Sequence, residues 1–383
     1  MSRDRAIIGL TTKPIKVIPR LVFVTVLVAV SSAPFNSELF GQPSRHLYKI
    51  TNRDNKVGFI DKTGKIVIDF DDLPAEAWVG NFSEGLAPIC FSDKQPSLYS
   101  NHCGFIDETG KIVIPPRFVL SSPFSEGLAW VRTEAFVGFI NQSGRVVIEL
   151  PESFSFGFHE GLAVVRTKTG SGFIDKTGRF FSTQRYEQVE SFSDGLAAVA
   201  EKQGPGAKYG FINKSGELAI PLRFDARPGP FEGPMYLSRF TEGLAPVVIS
   251  NLYGYIDQKG NVVIPPNFRD AGQFAEGLAI VTKEDGQKGY IDKAGLFVIK
   301  LASGRGGQFN DGLATLAVEI NGRTKMGYID RTGKTVIEPR FDVAYDFVGG
   351  IAEVYFSEKG AGPVTQTRHG YIDKGGRFIW RSE

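Results

Sequence analysis

Cysteine, histidine, tryptophan and methionine are all scarce in this 383-residue chain: it has two, four, three and three of them. The four histidines (His46, His102, His159 and His369) are scattered, and none stands in a His-Glu-x-x-His spacing, so no metal site and no cofactor are expected. The sequence also lacks a phosphate-cradling glycine loop and a nucleophile elbow. Clustered basic charge is missing after Arg20, which argues against nucleic acid, because phosphate binding needs grouped Lys and Arg to release counterions. Nor does any window keep helical periodicity between convincing caps.

Long apolar runs are equally absent. The longest, residues 21–30, has ten residues and is interrupted by Thr25, well short of the about 20 that span a bilayer. Residues 1–33 nevertheless carry five basic residues against one acidic, leaving 39 basic and 41 acidic residues, a net of −2, in the rest. A basic start, a short apolar run and then Ser31, Ser32 and Ala33 have the order of a secretory signal peptide. Residues 1–33 are therefore expected to export the chain to the periplasm, cell envelope or exterior, either cleaved or kept as a membrane tether, with 34–46 as a linker. Cys90 and Cys103 lie in one connection between neighbouring strands, and a hairpin there would bring them together as a disulfide closing a 12-residue loop.

What the chain has in abundance is repetition. A core unit, first seen as Gly58-Phe59-Ile60-Asp61-Lys62-Thr63-Gly64, recurs at Gly104, Gly138, Gly172, Gly210, Gly254, Gly289, Gly327 and Gly370, at intervals of 34–46 residues. Such a period belongs to solenoids and propellers. A second motif alternates with it: Phe82-Ser83-Glu84-Gly85-Leu86-Ala87 and its counterparts at Phe124, Phe158, Phe192, Phe240, Phe274, Phe309 and, degraded, Phe347. Longer insertions at 91–102, 223–239 and 356–369 fall between the motifs.

The core unit reads as a β-hairpin whose turn ends on a left-handed glycine, pairing Asp61 with Lys65, Ile60 with Ile66 and Phe59 with Val67. Five copies place opposite charges across this turn, such as Asp61/Lys65 and Asp373/Arg377. Prolines following the hairpin (Pro115, Pro116, Pro221, Pro265, Pro266, Pro339) are expected to stop the strand, and three strands per repeat are expected. The recurring acids (Glu84, Glu126, Glu160, Asp194, Glu242, Glu276, Asp311) sit beside turn glycines, where a backbone-capping role is favoured over calcium.

The alternation of Gly-Phe/Tyr-Ile-Asp-x-x-Gly with Phe-x-Glu/Asp-Gly-Leu-Ala resembles the WG, or KWG, repeat family across residues 47–383. This chain departs from it before the core glycine. There the family often has Trp, and here stand Val57, Cys103, Val137, Ser171, Tyr209, Tyr253, Lys288, Met326 and His369, so no role of that Trp carries over. The resemblance implies an all-β tandem repeat. The irregular intervals favour a solenoid-like or superhelical array; the alternative is a closed β-propeller of about eight blades, sealed by pairing of 47–50 with the final hairpin.

Function is expected to be binding. Residues present in every copy serve folding first, so the favoured reading is an exported, non-enzymatic scaffold for a protein or a cell-envelope glycan. The alternative is an envelope hydrolase using paired carboxylates in a groove. The core aromatic changes from Phe59, Phe105, Phe139, Phe173 and Phe211 to Tyr255, Tyr290, Tyr328 and Tyr371, and these four tyrosines are the candidate ligand ladder.

Overall fold

The computed structural model describes residues 46–92, 101–151, 153–155, 157–168, 170–180, 186–203, 206–226, 237–359 and 365–382. The expected leader 1–33, the expected linker up to residue 45 and the middles of the three insertions lie outside these residues.

Every described strand pair is antiparallel, and the strands form eight sheets. Repeat 1 contributes β1 (Tyr48–Thr51), β2 (Val57–Ile60) and β3 (Ile66–Ile68); repeat 2 contributes β4 (Ala77–Val79), β5 (Leu86–Ser92), β6 (Asn101–Asp107) and β7 (Ile112–Phe118). The later repeats follow the repeat 2 pattern, except that among the described residues repeat 4 lacks the closing strand and repeat 6 the leading one. Repeats 6 and 7 share one six-stranded sheet, because Val262–Ala271 runs from the last strand of one into the first strand of the next. The short leading strand, seen in repeats 2–5 and 7–9, is a fourth element that the motifs do not announce.

The repeats close into a β-propeller. Alternation along the strand that carries the core unit turns the core aromatic toward the following repeat and the isoleucine toward the preceding one, so both faces are buried: Phe59, Ile60, Phe105 and Ile106 have no solvent exposure. Nine apolar clusters fill the joints between successive repeats, and the last joins Ile351 and Tyr371 of repeat 9 to Tyr48, Ile50 and Ile60 of repeat 1. The open array expected from irregular spacing is therefore corrected in favour of the alternative, a closed propeller: the variation sits in loops, while the eight joints before the closure use the same residue types. Closure also differs in kind from the expected strand pairing. β1 pairs with β2, and the ends of the ring meet through side chains, with Tyr48 donating to Val348 O and Tyr371 to Lys49 O, each at 2.8 Å.

Both motifs acquire a physical meaning at the joints. The core aromatic of each of the first eight repeats packs against the motif phenylalanine of the next, from Phe59–Phe82 to Tyr328–Phe347, with ring centroids 4.8–5.0 Å apart. The prolines do not stop the strand: β7 continues through Pro115 and Pro116 to Phe118, where a ladder irregularity leaves no need for their missing N–H. Arg117 behind them donates to the turn carbonyl of Gly144 in repeat 3, and Arg223 and Arg340 do the same for Gly260 and Gly376.

The hairpin register is offset by a bulge. Ile60 pairs with Ile66, but Phe59 pairs with Ile68 rather than Val67, which is why Ile68 is buried while Ile66 is 40% exposed. The turn carboxylates mostly do not reach across to Lys or Arg either. Asp61 Oδ1 accepts from Thr63 N, Thr63 Oγ1 and Lys65 N, and Asp107, Asp175 and Asp330 repeat this; Asp373–Arg377 alone of the five pairs makes an ion contact, at 2.8 Å.

Two measurements check this account. A Cβ on Gly138 would lie 2.0 Å from Ile148 O, so Gly138→Ala is expected to cost on the order of 3 kcal/mol or to abolish folding, read as the chemical denaturation midpoint. Cys90 and Cys103 are disulfide-bonded at directly paired positions of β5 and β6, and opening this loop is expected to cost about 3 kcal/mol, seen as a lowered Tm after reduction.

Candidate functional site

The recurring acids build a polar ladder beside the apolar joints. Each adopts a left-handed backbone, with φ between 51° and 53°, which a non-glycine residue holds only with support. That support comes from the neighbour. Glu84 accepts from Gly127 N, Glu126 from Gly161 N, Glu160 from Gly195 N, Asp194 from Gly243 N, Glu242 from Gly277 N, Glu276 from Gly312 N and Asp311 from Gly350 N, at 2.8–3.0 Å. Lysines of the following hairpin add contacts at 3.0–3.1 Å: Lys176 to Glu126, Lys214 to Glu160 and Lys293 to Glu242. These carboxylates thus have partners, and among the described residues no group of three or more His, Cys, Asp or Glu is arranged to hold a metal.

The four tyrosines of the expected ladder are not on a surface. Tyr255, Tyr290 and Tyr328 are completely buried and Tyr371 is 5% exposed. Their hydroxyls donate to Gly272 O, Gly307 O, Tyr345 O and Lys49 O of the following repeat at 2.7–2.8 Å. Burial drives their ionisation well above the ordinary tyrosine range. They latch one repeat to the next, and a stacked ligand has no access to them, with the exception that Tyr371 touches the cavity described below.

The ladder breaks where the ring closes. Gly349 occupies the acid's place in repeat 9, and a Cβ there would meet Tyr48 Oη at 2.4 Å. Around this seam lies a cavity of about 880 Å³ walled by repeats 9, 1 and 2. Its wall includes Lys49 and Thr51 of β1, Ser83, Glu84 and Gly85 of repeat 2, and Tyr345, Asp346, Glu353, Tyr355 and His369 of repeat 9.

The seam is polar and aromatic together. His369 stacks on Tyr355 at 5.1 Å and meets Tyr371 and Trp380 edge-on at 5.4 and 5.3 Å. Its Nε2 is 3.0 Å from Glu353 Oε1, without a well-aligned N–H, and Tyr355 Oη donates to the same oxygen at 3.1 Å. Burial pushes the Glu353 carboxyl up, but His369, Tyr355 and the charge of Lys49 outweigh it and hold the group below its usual range. Asp346, whose outer surface is exposed, moves the other way, because its carboxyl is partly buried. Burial and the Glu353 charge push Tyr355 up to about 12. Burial lowers Lys49, with the Glu353 charge opposing; its Nζ donates to Val79 O at 2.9 Å, 5.9 Å from the exposed Trp78 ring.

Of these residues the sequence offered only Tyr371 as a ligand candidate, with Glu84 read as a turn acid and His369 as a departure at the family's Trp position, yet a signal existed. The third position of the Leu-Ala-x-Val strand holds Pro88, Trp130, Val164, Ala198, Pro246, Ile280 and Thr315 in repeats 2–8 and a charge in the two repeats that meet at the seam: Glu353 in repeat 9 and, by strand register, Lys49 in repeat 1.

A sequence profile described as "WG containing repeat" matches residues 58–94, 104–134, 138–168, 172–202, 209–253, 253–286 and 326–359, more than half of the chain. The chain belongs to the WG-repeat family. No curated protein sequence matches it. Among solved structures it is similar to a eukaryotic initiation factor (13% identity, 90% of this chain and 89% of that one, TM-score 0.40) and to Hsv2p of Kluyveromyces lactis (11%, 56% and 71%, TM-score 0.37). A further similar structure is apo AztD of Citrobacter koseri (11%, 80% and 94%, TM-score 0.37).

Two outcomes test the tyrosine latch and the hairpin turns. Tyr290→Phe is expected to cost about 1 kcal/mol and Tyr290→Ala about 3 to 5, measured by denaturant unfolding, as befits a buried latch. Asp61, Asp107, Asp175 and Asp330 are all held below the usual carboxylate range, Asp107 despite the opposing effect of burial and the others first through their threonine hydrogen bonds. Their contribution is complete above the unfolded value of about 4 and is lost as pH falls through the depressed folded values. Changing all four to Asn, which already makes the same turn at Asn141 and Asn213, should move the acid-unfolding midpoint to lower pH.

Proposed function

We propose that this WG-repeat propeller is an exported, non-enzymatic binding module, and that its partner, a protein or a cell-envelope glycan, engages the seam between repeats 9, 1 and 2. The observation that carries this reading is the contrast between joints. Seven joints use their polar groups on one another, whereas the seam replaces that bond with a large cavity lined by residues that depart from the repeat. A cavity of this size with convergent polar and aromatic groups suits a ligand group. The basic, apolar and small-residue order of the leader supports export. Tyr345→Ala and Asp346→Lys alter exposed seam residues, so capture of envelope components by the full chain should fall while Tm stays constant; undiminished capture would remove the seam from function.

One observation favours the hydrolase reading as a second possibility. Asp346 and Glu353 line one cavity with carboxyl groups shifted in opposite directions, the arrangement that separates an acid from a base. Turnover of an envelope glycan that Asp346→Asn abolishes would establish it.

A further inference from the structure

The joint between repeats 1 and 2 is inverted in charge. In the hairpin turn, the residue after the Asp or Asn is Lys62, Gln142, Lys176, Lys214, Gln258, Lys293, Arg331 or Lys374 in eight copies, a donor in every case, and it is acidic only at Glu108 of repeat 2. Five of these donors reach the ladder acid of the preceding repeat: Gln142 to Glu84, Lys176 to Glu126, Lys214 to Glu160, Gln258 to Asp194 and Lys293 to Glu242. Glu108 presents an acceptor instead. Its Oε1 is withdrawn from solvent without a hydrogen-bond partner and lies 3.8 Å from the position a Cβ on Gly85 would take.

Gly85 is itself exceptional. Its counterparts Gly127, Gly161, Gly195, Gly243, Gly277, Gly312 and Gly350 all donate their N–H to a carboxylate of the preceding repeat, and among the described residues Gly85 N has no such acceptor. Gly85 lines the seam cavity together with Glu84 of its own repeat and Asp346 and Glu353 of repeat 9, so both of these walls carry acceptors, while Glu108 reaches the site only through its approach to Gly85. The cation in the same wall, Lys49, is turned onto Val79 O. Tyr345, 53% exposed, stands 6.3 Å from the Tyr355 ring and adds an aromatic face of the kind that favours an organic cation. A second cavity of about 620 Å³ shares Thr51, Tyr355 and His369 with the first, which continues the groove along β1. No described strand pairs with the edge of β1 that faces away from β2.

Resting on the seam as binding site, we propose that the cavity receives a lysine or arginine side chain carried on an extended segment of a partner protein, the cation meeting the acidic wall and the peptide lying along β1. The shape is that of strand addition to an open edge, with a side-chain pocket setting specificity.

The test uses the full chain and a labelled peptide, acetyl-Thr-Val-Lys-Val-Thr-amide, with versions carrying arginine, norleucine or glutamate at the centre, read by fluorescence anisotropy. The lysine and arginine peptides should bind saturably, norleucine about tenfold more weakly, and glutamate more weakly still. Asp346→Asn and Glu108→Gln should each weaken the lysine peptide several-fold at unchanged Tm, and a proline replacing either valine should abolish binding. Equal binding of lysine and norleucine, or indifference to both substitutions, overturns the proposal. Binding of glucosamine oligomers without the lysine peptide overturns it too, in favour of a glycan. If envelope capture is lost in Tyr345→Ala while no basic peptide binds, this inference falls and the seam remains a site. If capture survives that change, both fall.

Discussion

An aromatic ring of one repeat set edge-on against the phenylalanine of the next is the contact on which the rest of this propeller depends. It explains why two motifs, separated by variable loops, occur in strict alternation: each is half of a contact whose other half lies in the neighbouring repeat. A single repeat therefore has no complete core. The glutamate-to-glycine bond follows from the same geometry, since docked rings bring consecutive turns close enough for a carboxylate to cap its neighbour's N–H. Polar and apolar joints are two views of one registration.

Much of this was legible in the residues. The nine glycines, the hairpin, the alternation of aromatic and isoleucine, and the all-β repeat family all followed from spacing and residue type. The closed ring was legible only as the alternative to an open array, because curvature is set by how two buried faces pack, whereas the visible irregularity lay in loops that bear on neither face. The bulge at Val67 escaped for a related reason: an extra residue in one strand leaves turn chemistry unchanged. The leading strand of each repeat escaped because two or three residues carry no periodicity of their own.

The candidate site was less legible. The Phe-to-Tyr change looked like a functional gradient, yet a hydroxyl on a buried ring can serve the neighbouring backbone, and Tyr255, Tyr290 and Tyr328 do that. Exposure cannot be read from a tyrosine's identity, whereas a charge in a position held in repeats 2–8 by Pro, Trp, Val, Ala, Ile or Thr can be noticed, and Glu353 is such a charge; its counterpart Lys49 in repeat 1 is hidden by a strand that lacks the Leu-Ala motif. The residues that mark the seam are departures from the repeat. They lie where the ladder can no longer hand its carboxylate onward.

The direction of that ladder has a consequence for how such a molecule could change its size. Every acid from Glu84 to Asp311 reaches forward to its successor, so each internal repeat offers the same acceptor ahead and the same donor behind. Duplicating or deleting one whole internal repeat would regenerate identical junctions at both cut ends. Only the seam would have to absorb the change in circumference. In genealogical terms the interior repeats are interchangeable units, and the seam is the one region in which a lineage could vary its ring while keeping its joints.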